Sequence, residues 1–122
     1  MIARDDISRP LLALAGIVGA AGVALAARGS HAAEADLTIA ASFLLMHAPV
    51  LLGLSLFKAN WVSRLAGYVL VLGLILFCGD LAMRGETGTS LLPLAAPFGG
   101  GGLILGWLLV VASAFFGWRR PI

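Results

Sequence analysis

The chain has 122 residues, of which 61% are hydrophobic and 11% are charged. Soluble domains carry about 25% charged residues, so this composition excludes an ordinary water-soluble domain and a disordered chain. Eight basic and six acidic residues are too few for a phosphate-binding face, which excludes a nucleic-acid partner. The single cysteine, Cys78, excludes an internal disulfide and a cysteine-based zinc site. A multi-pass membrane protein is the class that remains.

Four apolar runs occur in chain order, at residues 10–28, 37–57, 62–83 and 97–118. Each has about 18–22 residues, which is the length with which a helix crosses ~30 Å of hydrocarbon. The runs lack the alternation of membrane strands, so each predicts a transmembrane helix. Because the connections are short, we expect an all-α antiparallel up-down bundle of four helices, with residues 1–122 as one domain.

The start of the chain also resembles a secretory signal. Arg4 and Arg9 precede the first apolar run, and Ser30-His31-Ala32 follows it as a small-residue cleavage pattern. The run is longer than the apolar core of a usual signal, and three more spanning runs follow. We therefore expect an uncleaved first helix.

Basic residues are distributed unevenly between the two ends of the predicted bundle. Arg28 and Arg84 lie at one end. The opposite end has six basic residues: Arg4, Arg9, Lys58, Arg64, Arg119 and Arg120. Since cytoplasmic segments carry the excess of lysine and arginine, we expect both termini in the cytoplasm. Trp61 and Trp118 then fall at the cytoplasmic interface, where amphipathic rings settle.

Small residues recur on the helices that would pack together. Lipid tails are as apolar as leucine, so association of membrane helices depends on close approach of their backbones. The candidate packing positions are Gly16, Gly19 and Gly22 in the first helix and Gly102 and Gly106 in the fourth. We favour packing within the bundle over a homodimer seam. The Gly99–Gly102 run predicts a flexible start of the fourth helix.

His47 is predicted near the membrane midplane, about 15 Å into the second helix, with Pro49 two residues later. An ionisable group at this depth is a candidate proton relay or a metal or haem ligand. We favour a neutral structural histidine, because no second histidine at similar depth is available as an axial ligand. Trp107 is predicted at nearly the same depth. Its indole N–H needs an acceptor, so we predict that the two rings face each other or a shared small cavity.

Asp80 is predicted one turn before the outer end of the third helix, with Arg84 four residues later on the same face. Arg28 and His31 approach the same side from the first helix, so we predict an ionic cluster of these four residues. We favour a pairing that makes burial of Asp80 tolerable over a substrate or proton site. The sequence has no nucleophile motif, carboxylate pair or metal-ligand pair at helical spacing, so no catalytic residue, cofactor or metal is assigned.

The chain resembles a family of small four-helix membrane proteins catalogued as domain of unknown function 423, to which a eukaryotic protein called transmembrane protein 256 is related. The segments that carry the resemblance are Gly19–Leu25, Gly29–Ala32, Met46–Ala48, Leu76–Leu81, Pro97–Gly100 and Gly106-Trp107. Arg28 stands where the family usually has an aromatic residue, and Asp80 where many members have serine. The resemblance implies an integral membrane location, in bacteria the inner membrane, and no reaction.

Two classes of function are consistent with these patterns. The first is a non-enzymatic structural or accessory subunit that associates with itself or with a larger membrane complex. The alternative is a small transporter or channel that uses His47 and Asp80 as polar or proton-linked sites. A transporter requires a polar-lined cavity around these residues, whereas an accessory subunit requires a large partner contact.

Topology can be tested with single-cysteine variants. In a Cys78→Ala background, we expect a membrane-impermeant maleimide to label Glu86→Cys from the periplasm. Arg4→Cys should react only after the membrane is permeabilised, because the excess of basic residues places the termini inside. Labelling of Arg4→Cys in intact cells would show that the orientation is wrong.

Overall fold

The computed structural model describes residues 6–32, 34–90 and 92–116. Its four helices are α1 (Arg9–Ala32), α2 (Ala35–Leu56), α3 (Trp61–Thr87) and α4 (Ala95–Ser113), and the described residues contain no strand. Each helix is long and apolar enough to cross a membrane. The predicted all-α fold of four helices is therefore confirmed, and each of the four is a candidate membrane span. The residues used above that lie outside the described part are Arg4, Trp118, Arg119 and Arg120.

The helix boundaries differ from the predicted ones mainly at the end of the bundle opposite the termini. There α1 and α3 continue about one turn beyond their apolar runs, to Ala32 and Thr87. They do so because small residues in these last turns pack against the start of α2. A Cβ added to Gly29 would lie 2.9 Å from Thr38 Oγ1, and one added to Gly85 would lie 2.7 Å from Leu37 Cγ.

The fourth helix begins at Ala95 and ends at Ser113, earlier than the predicted bounds of 97 and 118. Its end is set by the side chain of Asn60, whose Nδ2 donates to the carbonyl oxygens of Ser113 and Phe116, both at 2.7 Å. The last carbonyls of a helix lack partners within the helix, so this donor satisfies them at that point.

Consecutive helices run antiparallel, as contacts at the end of the bundle where α1 and α3 begin show. The Ser8 backbone N–H, just before α1, donates to Ser55 O near the end of α2 at 2.8 Å. The start of α3 meets the end of α4 through Asn60. The helices pack as two pairs, α1 with α2 and α3 with α4. Contacts between α2 and α3 join the two pairs, and α1 makes few contacts with α3.

Leucine side chains fill the centre of the bundle. Fully buried leucines come from α1, α2 and α3: Leu11, Leu37, Leu51, Leu70 and Leu74. Cys78 lies in the same apolar cluster, where its thiol acts as a small apolar filler.

The interface between α3 and α4 depends on glycines. A Cβ added to Gly99 would collide with the backbone of Phe77, and one added to Gly106 would lie 2.6 Å from Leu70 Cδ2. Gly102 faces Gly73, whose Cα would lie 3.3 Å from an added Cβ. The expectation of a flexible start of α4 is therefore wrong, because the Gly99–Gly102 run lies inside the helix and packs its backbone against α3.

The glycines of α1 have unequal roles against α2. A Cβ added to Gly22 would lie 2.8 Å from Leu45 Cγ, and Gly19 is in ordinary contact range of Ala48. Gly16 is not a packing position, since nothing lies within 4 Å of an added Cβ. It follows the buried Ala15 by one residue, and a helix turns by about 100° per residue, which rotates Gly16 away from the packed face.

Alanine substitutions distinguish packed from unpacked glycines in α4. We expect Gly99→Ala to destabilise the protein in detergent by about 1–3 kcal/mol, because the new methyl group overpacks the α3 contact. Gly101→Ala is the matched control, since nothing lies within 4 Å of its added Cβ and alanine favours helix. Thermal unfolding followed by circular dichroism measures both. Equal stability of the two variants would contradict the packing role of Gly99.

Candidate functional site

A buried polar contact between α2 and α4 lies inside the bundle. The side chain of His47 is almost completely buried, and its Nε2 accepts a hydrogen bond from Trp107 Nε1 at 3.1 Å. The predicted meeting of the two rings is confirmed in its direct form. Their common depth follows because α2 and α4 run in the same direction and each ring lies the same distance along its helix, and the indole supplies the donor that Nε2 accepts from.

Both ring nitrogens of His47 are engaged, and the partners define the tautomer. Nδ1 lies 2.7 Å from the carbonyl oxygen of Phe43, which only accepts, so Nδ1 must carry a proton. The indole N–H of Trp107 only donates, so Nε2 must carry a lone pair. Both contacts therefore specify one neutral form of the imidazole, protonated at Nδ1.

The histidine belongs to an aromatic cluster that we define as Phe43, His47, Phe77 and Trp107. The ring of Phe43 stacks on His47 with centroids 6.0 Å apart and meets Phe77 at 4.7 Å. Trp107 tilts against His47 at 5.8 Å. The cluster joins α2, α3 and α4, and Phe77 is also the residue against which Gly99 packs.

The two hydrogen bonds of His47 restrict metal binding and proton transfer at its ring nitrogens. Metal binding at Nε2 would need the lone pair that the indole N–H occupies, and protonation at Nε2 would place two N–H groups against each other. Among the described residues, no group of three or more histidine, cysteine, aspartate and glutamate side chains could hold a metal ion. The arrangement supports a structural role for His47.

Asp80 lies in α3 with its side chain completely buried. Its Oδ2 is 3.1 Å from Arg84 Nε, one helical turn later. The predicted pairing with Arg84 is present. It makes burial of the carboxylate tolerable, because the paired guanidinium belongs to a half-exposed side chain near the end of α3.

Arg28 does not join that pair, and the predicted four-residue cluster is wrong in this respect. Its guanidinium forms a two-point contact with Glu86, with Nε 2.8 Å from Oε1 and Nη2 3.2 Å from Oε2. The reason is that α3 continues through Thr87 and carries Glu86 to the end of α1. His31 is exposed in the last turn of α1.

Polar contacts at the opposite end of the bundle were not predicted. Ser8 Oγ lies 3.1 Å from Tyr68 OH and accepts from the Leu11 backbone N–H, so it caps α1. Asn60 and Ser63 form a reciprocal capping box at the start of α3. The serine two residues before Pro10 and the Asn-x-x-Ser spacing are the sequence signals that would have identified these caps.

Two apolar grooves open on the surface of the bundle. One, of about 300 Å³, is lined by α1, α2 and α3 and includes Val18, Leu44 and Cys78. The other, of about 480 Å³, lies between α1 and α2 and includes Gly16 and Pro49. Neither of these two grooves is lined by His47 or Asp80.

A double-mutant cycle measures the histidine–tryptophan bond. We expect His47→Leu and Trp107→Phe each to lower thermal stability in detergent, because each strands one polar group. The double variant should lose less than the sum, with a coupling of about 0.5–2 kcal/mol, the range for interhelical hydrogen bonds. Strict additivity would show that the contact contributes nothing.

The pair of Asp80 and Arg84 is tested in the same way. We expect Arg84→Gln to cost about 3 kcal/mol, because it removes the cation beside a fully buried carboxylate. Asp80→Asn should cost less, since the guanidinium left behind is half exposed. Combining the two should recover part of the loss of Arg84→Gln. If Asp80→Asn in that background restores nothing, the two residues are not coupled.

Comparison with known sequences places the chain in a family. No curated protein and no solved structure matches it. The family model described as a protein of unknown function (DUF423) matches residues 18–100. The match includes His47, Asp80 and Gly99 and stops before Trp107. Because it covers well over half of the 122 residues, the chain belongs to the DUF423 family.

Proposed function

We propose that this protein is a multi-pass protein of the bacterial inner membrane that acts as a non-enzymatic structural or accessory subunit. One observation carries the proposal. The polar side chains at membrane depth, His47 and Asp80, are engaged by groups of the same chain, while the outward face of α4 is apolar and uncovered.

The engaged polar groups favour this role over the transporter or channel alternative. A proton-linked site needs a group that can exchange its proton with a solvated path. His47 instead has Phe43 and Trp107 on its two nitrogens, and Asp80 has Arg84 beside it. The bond to Trp107 joins two helices, and the contacts with Phe43 and Arg84 satisfy the two polar groups within their own helices.

The outward face of α4 supplies a surface for a partner. Only 22% of the spanning part of α4 is buried within the chain. Three exposed apolar residues recur along it at spacings of four and three, which places them on one stripe: Ile104, Leu108 and Val111. A second membrane helix would gain van der Waals contact along this stripe.

The charge of the described residues supports the cytoplasmic placement of the termini. Arg9, Lys58 and Arg64 lie at the end of the bundle where the chain begins, and Asp6 is the one described acidic residue there. Arg28 at the opposite end is paired with Glu86. An excess of basic residues at one end is the pattern of a cytoplasmic surface.

Native mass spectrometry of tagged protein, extracted from membranes in a mild detergent, tests the accessory role. We expect a stoichiometric assembly, either with further copies or with another membrane protein, and we expect Ile104→Ala combined with Leu108→Ala to reduce it. The matched control is Ile17→Ala combined with Val23→Ala, which shortens exposed side chains on α1 instead. A wild-type protein that is purely monomeric would contradict the proposal.

A further inference from the structure

We propose that the groove between α1 and α2 is a binding site for one anionic phospholipid, with an acyl chain in the groove and the phosphate on Arg9. The inference rests on insertion into the membrane, which is part of the proposed function, and not on the accessory role.

The shape of the groove suits an acyl chain. Its walls are apolar: Leu12, Gly16, Gly19 and Val23 come from α1, and Leu45 and Pro49 are among those from α2. From Leu12 to Val23 it spans eleven residues of helix, or about 16 Å. Half of the ~30 Å hydrocarbon core is about 15 Å, so the groove follows the chain region of one leaflet. Its volume of about 480 Å³ is within the range of ordinary ligand pockets.

Gly16 keeps the groove open. Nothing lies within 4 Å of a Cβ added there, although the helix packs closely at Gly22 two turns later. A larger residue at position 16 would fill this space without touching another part of the described chain. A side chain at this position would therefore project into the groove.

The headgroup end of the groove carries a free positive charge. Arg9 precedes Leu12 by three residues and Gly16 by seven, which places it on the face of α1 that lines the groove. Its side chain is exposed, and it forms no hydrogen bond or ion pair within the described part of the chain. By contrast, Arg28, Arg64 and Arg84 each have a protein partner.

The surrounding charge selects an anionic headgroup. Lys58 lies exposed just beyond the end of α2, at the same end of the bundle, and Asp6 is the one acidic side chain there among the described residues. One basic residue in contact with an anionic headgroup strengthens binding by about fivefold, and Arg9 is the residue assigned to that contact. A zwitterionic headgroup would gain much less.

Native mass spectrometry of delipidated protein tests this site, with phosphatidylglycerol and phosphatidylcholine of identical acyl chains as probes. For the wild type we expect phosphatidylglycerol to bind about fivefold more tightly. Arg9→Gln should abolish this preference, and Arg9→Lys should keep it. Equal binding of the two lipids by the wild type, or a preference that survives Arg9→Gln, would overturn the proposal.

A variant that fills the groove tests whether an acyl chain of the lipid binds there. We expect Gly16→Leu to weaken binding of both lipids at least fivefold, because its side chain occupies the place of the chain. Gly101→Leu on α4 is the control, since it adds the same side chain in open space outside the groove. Unchanged lipid binding by a folded Gly16→Leu variant would overturn the site, and if that variant does not fold, the Arg9 variants decide.

The experiments distinguish failure of the lipid site from failure of the proposed accessory role. Release of the wild-type protein from membranes by alkaline carbonate would refute both, because an extractable protein is not inserted. A monomeric wild type that prefers phosphatidylglycerol through Arg9 would refute the accessory role and support the lipid site. An assembled protein without that preference would support the accessory role and refute the lipid site.

Discussion

A polar group buried in hydrocarbon must find its partner within the protein, and the arrangement of this bundle depends on that constraint. The imidazole of His47 and the indole of Trp107 satisfy each other across the gap between α2 and α4. Water is not available to either group at this depth, so separation of the two helices would leave two unsatisfied polar atoms. The hydrogen bond therefore matches the depth and rotation that packing on α3 gives to α4.

The glycines of α4 make this bond geometrically possible. Gly99 and Gly106 bring the backbone of α4 against Phe77 and Leu70 of α3, so α4 lies closer to the bundle axis than a helix with larger residues could. Trp107 directly follows Gly106 and reaches past α3 to α2. The same close approach thus serves two purposes: it supplies van der Waals contact between helices and carries an aromatic donor to the buried histidine.

The two ends of the bundle are built differently. At the end formed by the last turns of α1 and α3, the arginines are engaged, Arg28 by Glu86 and Arg84 by Asp80. At the opposite end, capping contacts tie the helices together, while Arg9 has no partner within the described part of the chain and lies toward an open groove. Among the described residues, unpaired basic side chains therefore lie at the end of the bundle where α1 begins, which is why the proposed orientation and the proposed lipid site both place the same surface at the membrane.

The sequence by itself determined the features that depend on distance along the chain. The lengths of the apolar runs predicted four helices long enough to span a membrane. The four-residue spacing predicted the pair of Asp80 and Arg84. Equal depth and donor chemistry predicted the bond between His47 and Trp107. Only the tertiary structure decided which helix faces meet. Gly16 faces an open groove while Gly99 and Gly102 pack against α3, because rotation of a helix about its axis is set by its neighbours and not by its own pattern. Arg28 pairs with Glu86 for the same reason, because the partner of Arg28 depends on how far α3 extends and on where α1 lies beside it.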